Sequence, residues 1–318
     1  STNTNGDKNN FTFDIERLKL YLEQSLLTEH VEIMYYTKVI GAKVENSAIQ
    51  SLTISQKSVE KEVSAHVYVD CTGDGDVGYF CGCSFQTGRE DGFCQPITCF
   101  ALVSGISFSQ VAPFTANTSR VGKEIDQART KLLEEMKRGG FTASYKLPTL
   151  HHIRNDIFVL GVDHQFLNGQ KAEDLTQAML CGRQEMTACI DALKSLGGIW
   201  EHMMLLQTPA YPGVRESRRI LGEYTITKED LMSGKRHTDS MCTVTFNVDI
   251  HDEKGYTTGG VCAKEYDIPL GAMKSAEIKN LYMAGRCISG DFYAHASYRV
   301  TGNTFTMGEN LGKYLAKM

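Results

Sequence analysis

The alternation of hydrophobic and polar positions near the start of the chain predicts one helix followed by a small β-meander. From Asp14, apolar residues recur at helical spacing as far as Leu26, and the Asp14 side chain is suited to cap the start of the helix. Runs rich in β-branched and aromatic residues follow at 31–39, 48–54 and 63–70. The segment 66–70 is almost continuously apolar, which predicts a strand covered on both faces.

The rest of the pattern predicts helices at 122–138 and 171–196, and a capping box at 227–230. A strand is predicted at 243–250 and a buried strand at 280–284, before a long loop to about Arg299 and a last helix to Lys317. This order indicates α/β structure at both ends of the chain with an α+β insertion between them. We predict domain ranges of 11–90, 91–270 and 271–318.

Composition narrows the classes of partner. The chain has 318 residues, 42% of them hydrophobic, enough for about two cores. A net charge of -5, with both signs interspersed, gives no basic face for nucleic acid and no polybasic membrane anchor. Ten cysteines, mostly in apolar surroundings, favour reduced thiols, and we predict a cytoplasmic protein that binds a small molecule.

The segment from Asp70 to Asp76, Asp-Cys-Thr-Gly-Asp-Gly-Asp, allows three interpretations. A calcium-binding EF-hand loop requires an acid at its twelfth position, but counting from Asp70 that position is Cys81. A strand-end turn with solvated aspartates is the simple structural alternative. A cofactor cradle is the third, because glycines after a buried strand let backbone N–H groups approach a phosphate.

A second segment favours the cradle. Residues 281–284 again form a predicted buried strand, with Gly285 at its carboxyl end, then a polar loop and a helix start. Ligands of open α/β sheets bind at the carboxyl ends of the strands. Two such strand ends in one chain point to one extended ligand.

Three motifs together resemble the bacterial FAD-dependent oxidoreductases of the glutathione-reductase-like flavoprotein class. They are the turn from Asp70 to Asp76, the Arg-Glu-Ser-Arg-Arg signature at 215–219, and the segment from Leu281 to Ser289 with Ala294 to Arg299 after it. The resemblance covers about residues 11–318. It implies an α/β FAD/NAD(P)-binding domain with an inserted α+β substrate domain, and a flavin that exchanges a hydride with a small organic substrate.

Carried over residue by residue, the resemblance implies a set of cofactor contacts. Thr72, Gly73 and Asp74 would line the dinucleotide, and Gly285 and Arg286 would face its ribityl and phosphate part. The helix start at Val300, Thr301 and Gly302 would aim N–H groups at the flavin pyrimidine edge, where the helix dipole stabilises the reduced anion. Many relatives have an acid where this chain has Arg286.

The sequence departs from the family at its first element. Relatives open with a strand and Gly-x-Gly-x-x-Gly that holds the FAD pyrophosphate, and no such strand-turn-helix segment is found in the 318 residues. We therefore expect an N-terminally incomplete FAD domain that binds FAD weakly or not at all by itself. The segment could come from another polypeptide. The alternative is a non-catalytic remnant or one subunit of a split flavoprotein.

Four residues are predicted to act in catalysis: Arg215, Arg218, His295 and Arg299. The arginines of the signature could bind a carboxylate or a hydroxyl-rich substrate, or they could form an ion-pair network around Glu216. The working hypothesis is that one arginine faces the flavin and the others are structural. His295, expected in a loop, could transfer a proton beside the flavin or be a hydrogen-bonded structural residue.

Metal binding is not expected. The Cys-Gly-Cys spacing of Cys81 and Cys83, with Cys94 and Cys99 further on, matches neither zinc knuckles nor ferredoxin runs. Buried thiols are the simpler interpretation.

Overall fold

The computed structural model of the protein describes residues 13–116 and 123–318. These residues form two compact units. The sheet unit contains residues 13–33, 96–116, 123–215 and 253–255, and the edge unit contains residues 34–95, 216–252 and 256–318. The domain ranges predicted from the sequence differ, because they assign residues 216–252 and 256–270 to the insertion. These predicted ranges stay a prediction.

Nine α-helices are found in the described part of the chain. They are α1 (Ile15–Thr28), α2 (Asp76–Phe80), α3 (Phe108–Val111), α4 (Lys123–Arg138), α5 (Ala172–Ser195), α6 (Lys228–Ser233), α7 (Leu270–Met273), α8 (Phe292–Tyr298) and α9 (Thr301–Leu315). Short 3-10 helices lie at Ala112–Phe114 and Gly198–Trp200. Among the described residues, no helix is both long and apolar enough to cross a membrane.

The same ranges contain fifteen strands. They are β1 (Thr37–Glu45), β2 (Ala48–Gln56), β3 (Val59–Val63), β4 (Tyr68–Asp70), β5 (Phe85–Gln86), β6 (Ala101–Ser104), β7 (Thr149–Arg154), β8 (Ile157–Gly161), β9 (Met204–Gln207), β10 (Arg219–Ile220), β11 (Ser240–Val244), β12 (Ile250–Asp252), β13 (Gly255–Thr257), β14 (Tyr266–Pro269) and β15 (Leu281–Met283).

The sheet unit is built on a four-stranded antiparallel sheet of order β7-β8-β6-β9. Helices α4 and α5 supply apolar side chains to its core, among them Leu132, Met186 and Leu193, which pack with Phe158 of β8. As the sequence predicted, Asp14 caps α1: its Oδ1 accepts hydrogen bonds from the backbone N–H groups of the second and third helical residues.

The edge unit contains the antiparallel meander β1-β2-β3 and a parallel pair of strands, β4 and β15. Its core lies around these strands and the facing helices, and includes the buried residues Tyr68, Leu281, Met283 and Tyr298. The parallel pair carries the two glycine-rich segments, which makes this unit the one that positions the candidate site.

Several predicted elements are confirmed. Helix α5 matches the predicted range 171–196 within one residue, and α6 has the predicted capping box between Thr227 and Asp230. The last helix begins at Thr301, as predicted, and β15 is a fully buried strand. The predicted start of α4 at Gly122 lies outside the described residues.

Other predicted elements are wrong in their bounds. The first strand begins at Thr37, because Tyr36 adopts a left-handed φ of 55° that makes a turn before it. The run 63–70 is divided between β3, the last strand of the meander, and β4. The predicted strand 243–250 is likewise interrupted between β11 and β12, and the predicted loop 285–299 contains α8.

Candidate functional site

The two glycine-rich segments lie at the same end of the parallel strand pair. Tyr68 is opposite Leu281 and Asp70 is opposite Met283, and the Ala284 N–H donates to the Asp70 carbonyl at 3.0 Å. Because parallel strands run in one direction, the turn after β4 and the glycine after β15 leave the sheet at one edge. The fold therefore brings together the two strand ends that the sequence singled out.

The Asp70 carboxylate fixes the turn after β4. It is fully buried, and its Oδ1 accepts from the Thr72 N–H at 3.0 Å and the Thr72 hydroxyl at 2.7 Å, while its Oδ2 accepts from the Gly78 N–H at 3.0 Å. The Thr72 hydroxyl in turn accepts from the Asp76 N–H at 2.9 Å. Asp70 is therefore structural, and the Thr72 hydroxyl both donates and accepts within the turn.

Two guanidinium groups bind the outer part of this turn. Arg286 Nη1 donates to the Gly73 carbonyl and to Asp74 Oδ1, the latter at 2.7 Å. Arg218 Nη1 donates to the Asp74 carbonyl at 3.1 Å and to Asp76 Oδ1 at 3.0 Å. Burial raises the pKa of the Asp74 carboxyl, and the Arg286 charge opposes that rise.

Glycines give the strand ends their shape. Gly73, Gly75 and Gly285 have φ of 78°, 67° and 96°, which side-chain-bearing residues rarely adopt. A Cβ added at Gly73 would come within 2.9 Å of the Arg286 guanidinium, whereas one added at Gly285 would meet nothing closer than 4.0 Å. The backbone is thus open to close approach at Gly285.

The start of α9 also fits the predicted contact. Val300 is an extended N-cap residue, and none of the described side chains caps this helix. Thr301 and Gly302 are exposed, and a Cβ added at Gly302 would have no atom within 4 Å. First-turn N–H groups in open space, with the positive end of the helix dipole, suit a flavin carbonyl or a reduced flavin anion.

These observations agree with FAD as the ligand of the edge unit. The open backbone at Gly285 and the uncapped α9 start can hold the cofactor, and the turn from Gly73 to Asp76 can contact its dinucleotide part. Access is shown at Gly285 and at the start of α9, whereas the side chains of Thr72, Asp74 and Arg286 are engaged within the turn. The roles of all these residues as cofactor contacts stay a prediction.

The arginines of the Arg-Glu-Ser-Arg-Arg signature have different partners in the structure. Arg219 is 2% exposed and all three of its guanidinium nitrogens donate: to Glu216 Oε1 at 2.5 Å, the Gly88 carbonyl at 2.8 Å and the Gly290 carbonyl at 2.9 Å. Arg219 and Glu216 therefore form the buried ion pair that was the structural alternative. Arg218 instead binds the turn after β4.

A buried glutamine that sequence reasoning missed extends this pair toward Arg299. Gln95 is 1% exposed; its N–H donates to Glu216 Oε2 at 3.1 Å, and its Oε1 accepts from Arg299 Nη2 at 2.9 Å. Arg299 also donates to the Asp249 carbonyl at 2.9 Å. The dense charge at 215–219 predicted an ion-pair network around Glu216, but nothing local in the sequence signals Gln95.

His295 is not in a loop. It lies on α8, where it is fully buried, and its ring meets Tyr298 edge to face with 5.6 Å between the ring centroids. Neither ring nitrogen has a hydrogen-bond partner among the described residues. Burial lowers the pKa of this histidine well below its usual range, and the positive charges of three arginines lower it further. The imidazole is therefore neutral, and its predicted catalytic role stays a prediction.

Arg215 belongs to the sheet unit. Its Nη1 donates to the Pro96 carbonyl at 3.0 Å and to Thr98 Oγ1 at 3.2 Å. The same unit contains a buried carboxyl, Asp163, whose two oxygens accept from the Cys99 N–H at 2.9 and 3.0 Å. Burial raises the pKa of Asp163 to about 7. No sequence motif marked this residue.

Metal ligands are not grouped in the described residues. No cluster of three or more histidine, cysteine or acidic side chains suits a metal ion there. All ten cysteines are free thiols.

Comparison with solved structures gives only weak likenesses. A geranylgeranyl bacteriochlorophyll reductase-like protein from Thermoplasma acidophilum has a TM-score of 0.42 at 8% identity, covering 95% of this chain and 52% of the other. The myxobacterial chondrochloren halogenase CndH, an FAD-dependent halogenase, gives 0.41 at 10%, covering 95% and 50%. L-proline dehydrogenase from P. horikoshii gives 0.38 at 11%, covering 95% and 54%.

The chain spans about half the length of these structures, and superpositions this loose establish neither fold nor function. No curated protein matches the chain. The family model described as FAD dependent oxidoreductase, in contrast, matches residues 1–317. The family match thus agrees with the strand-end geometry of the edge unit, and the chain belongs to the FAD-dependent oxidoreductase family.

Proposed function

We propose that the protein is a flavoprotein oxidoreductase of the glutathione-reductase-like class, in which the edge unit holds FAD and a small organic substrate exchanges a hydride with it. Bound FAD would supply the two-electron chemistry. The observation that carries the proposal is the parallel pair β4–β15, which presents both glycine-rich segments at one edge. The family match supports the cofactor, whereas the substrate rests on the resemblance alone.

The chain's own residues have separate roles in this proposal. Gly285 would let the cofactor approach the protein backbone closely. The first turn of α9 would donate N–H groups to the flavin pyrimidine edge. Arg299, held by Gln95, lies on a buried network that fixes its guanidinium. His295 is neutral and fully buried. In this position it would support the site by packing and would not exchange a proton with a ligand.

The pyrophosphate-binding strand-turn-helix would be contributed by polypeptide outside residues 1–318. The sequence supports this part, because it contains no Gly-x-Gly-x-x-Gly in strand-turn-helix context. A non-catalytic subunit of a split flavoprotein would share this requirement for a partner but would show no turnover. We further propose a reducing, cytoplasmic location, in keeping with ten free thiols.

A flavin titration tests the proposal. FAD binding would be measured by quenching of flavin fluorescence, for the 318-residue chain alone and for the chain co-expressed with the polypeptide encoded immediately upstream. We expect stoichiometric FAD only in the second preparation. The variant Gly285→Val should lose it, because valine is strained at this φ and fills the open space.

The control is Gly312→Ala, in α9, where a Cβ meets no atom within 4 Å. Stoichiometric FAD in the chain alone would refute the contribution from another polypeptide. Absence of FAD from both preparations would refute the flavin site.

A further inference from the structure

We propose that Arg218 and Arg286 are positioning residues that together hold the turn from Gly73 to Asp76 in the conformation that receives the cofactor. This inference rests on the proposed function and adds to it a device that sets the shape of the cofactor turn. Arg218 comes from the Arg-Glu-Ser-Arg-Arg signature and Arg286 from the end of β15, so the turn is bound by two distant segments of the chain.

The contacts divide the turn between the two side chains. Arg286 donates hydrogen bonds to the Gly73 carbonyl and the Asp74 carboxylate. Arg218 donates to the Asp74 carbonyl and the Asp76 carboxylate. Each guanidinium thus binds one backbone carbonyl and one carboxylate. Such charge-assisted bonds to a planar, rigid donor fix direction as well as distance.

The direction of these carbonyls decides where the N–H groups point. The peptide bonds are trans, so the N–H of each peptide points opposite to its carbonyl. When the Gly73 and Asp74 carbonyls face the guanidiniums, the N–H groups of Asp74 and Gly75 face the other way. In the described part of the chain, neither of these N–H groups has an acceptor. The two arginines therefore fix the direction of two backbone donors, one at half-buried Asp74 and one at buried Gly75. Adjacent backbone donors without an acceptor suit an anionic group.

Both arginines are themselves held in place. The Arg218 guanidinium lies 4.3 Å from the centroid of the Tyr79 ring, and its side chain is 11% exposed. The Arg286 and Asp74 side chains are 22% and 14% exposed, so water and salt screen their ion pair less than they would on an open surface. The positive charges of Arg218 and Arg286 also reduce the repulsion that the Asp76 and Asp74 carboxylates would exert on an anionic cofactor.

The test uses Arg218→Gln, Arg286→Gln and Arg286→Lys, with Arg236→Gln as control. Arg236 also pairs with an aspartate in the edge unit, but its side chain is 57% exposed and it lies outside the turn. Amide hydrogen exchange without flavin, followed by mass spectrometry on peptides covering 69–80, reports whether the turn is held. The bonds that protect the amides of Thr72, Asp76 and Gly78 all lie in this region.

We expect exchange in these peptides to rise at least about tenfold in both glutamine variants, because each loses a guanidinium that makes two charge-assisted hydrogen bonds and one such bond alone is worth about that factor. The control should exchange like the wild type. Arg286→Lys should recover part of the protection, because Arg286 makes both bonds through Nη1 alone and an ammonium can donate to the same carboxylate. Unchanged exchange in both glutamine variants overturns the inference.

A second measurement links the turn to the cofactor. In the co-expressed preparation, the FAD dissociation constant should rise about tenfold in the two glutamine variants while the melting temperature stays within that of the control. Faster exchange with unchanged FAD affinity would overturn the positioning role and leave the flavin site intact. A wild-type protein that binds no FAD would contradict the proposed function. The hydrogen-exchange measurement would still decide whether the two arginines hold the turn.

Discussion

Asp163 should make the stability of the sheet unit depend on pH. Its carboxyl is fully buried, and burial raises its pKa to about 7 from an ordinary value of 3.8. The folded state therefore favours the protonated form, and its stabilising contribution is fully present below the unfolded pKa and is lost as pH rises toward the folded pKa. Between these limits the loss is about 1.4 kcal/mol per pH unit, which gives roughly 2–3 kcal/mol between about pH 5 and about pH 8.

The assay is urea unfolding followed by fluorescence of Trp200, the protein's one tryptophan. Trp200 is buried in the sheet unit and its Nε1 donates to Glu135 at 2.9 Å, so its signal reports on that unit. The variant Asp163→Asn keeps an oxygen that can accept from the Cys99 N–H but carries no charge. The difference in unfolding free energy between variant and wild type should grow by about 2–3 kcal/mol from the acid to the alkaline condition.

The control variant is Asp191→Asn, which changes an exposed carboxylate on α5. It should follow the wild type at both pH values. If Asp163→Asn and the wild type lose stability in parallel, the carboxyl is not protonated in the folded protein and the reasoning from burial fails. Glu185 lies close enough to raise the pKa of Asp163 and has a raised pKa itself, so the wild type can lose more than this single group accounts for.

Three substitutions test the predicted catalytic region. Glu216→Ala should lower the free energy of unfolding by about 3–5 kcal/mol, because it leaves the Arg219 charge buried without its partner; a loss under about 1 kcal/mol in chemical denaturation would contradict this. His295→Leu should raise it by about 1 kcal/mol by removing two buried ring nitrogens that have no hydrogen-bond partner among the described residues; a decrease in the same assay would show that the ring is stabilising. Arg215→Ala should cost about 1–2 kcal/mol through two lost hydrogen bonds; abolished turnover with an unchanged melting temperature would instead support substrate binding.

Features encoded in short stretches were predictable from the sequence. The Asp14 cap, the long helix α5 and the capping box of α6 follow from residues within a few positions of one another, and all are confirmed. The turn after Asp70 and the strand before Gly285 were predictable for the same reason. Their apolar runs and glycines are local signals of buried strands that end at a sheet edge.

The missed helix α8 combines a local capping signal that was overlooked with a distant contact that no local pattern shows. Residues 285–299 look like a loop because they begin with polar and small residues, but Asp291 caps α8: its Oδ1 accepts from the Ala294 N–H at 2.8 Å. The other carboxylate oxygen accepts from the Lys228 N–H at 2.7 Å, 63 positions away in the sequence. This contact ties α8 to the start of α6, and His295 on α8 is buried.

The sequence by itself determined which residues could lie at the sheet edge that binds a cofactor, because strand ends, glycines and helix starts are encoded by neighbouring residues. Only the tertiary structure decided the roles of the three charged residues 218, 219 and 286. Arg219 is enclosed with Glu216, whereas Arg286 reaches Asp74 across 212 positions and Arg218 reaches Asp76 across 142. A guanidinium has the same chemistry in each place, and the partners that folding brings within hydrogen-bonding distance determine its role.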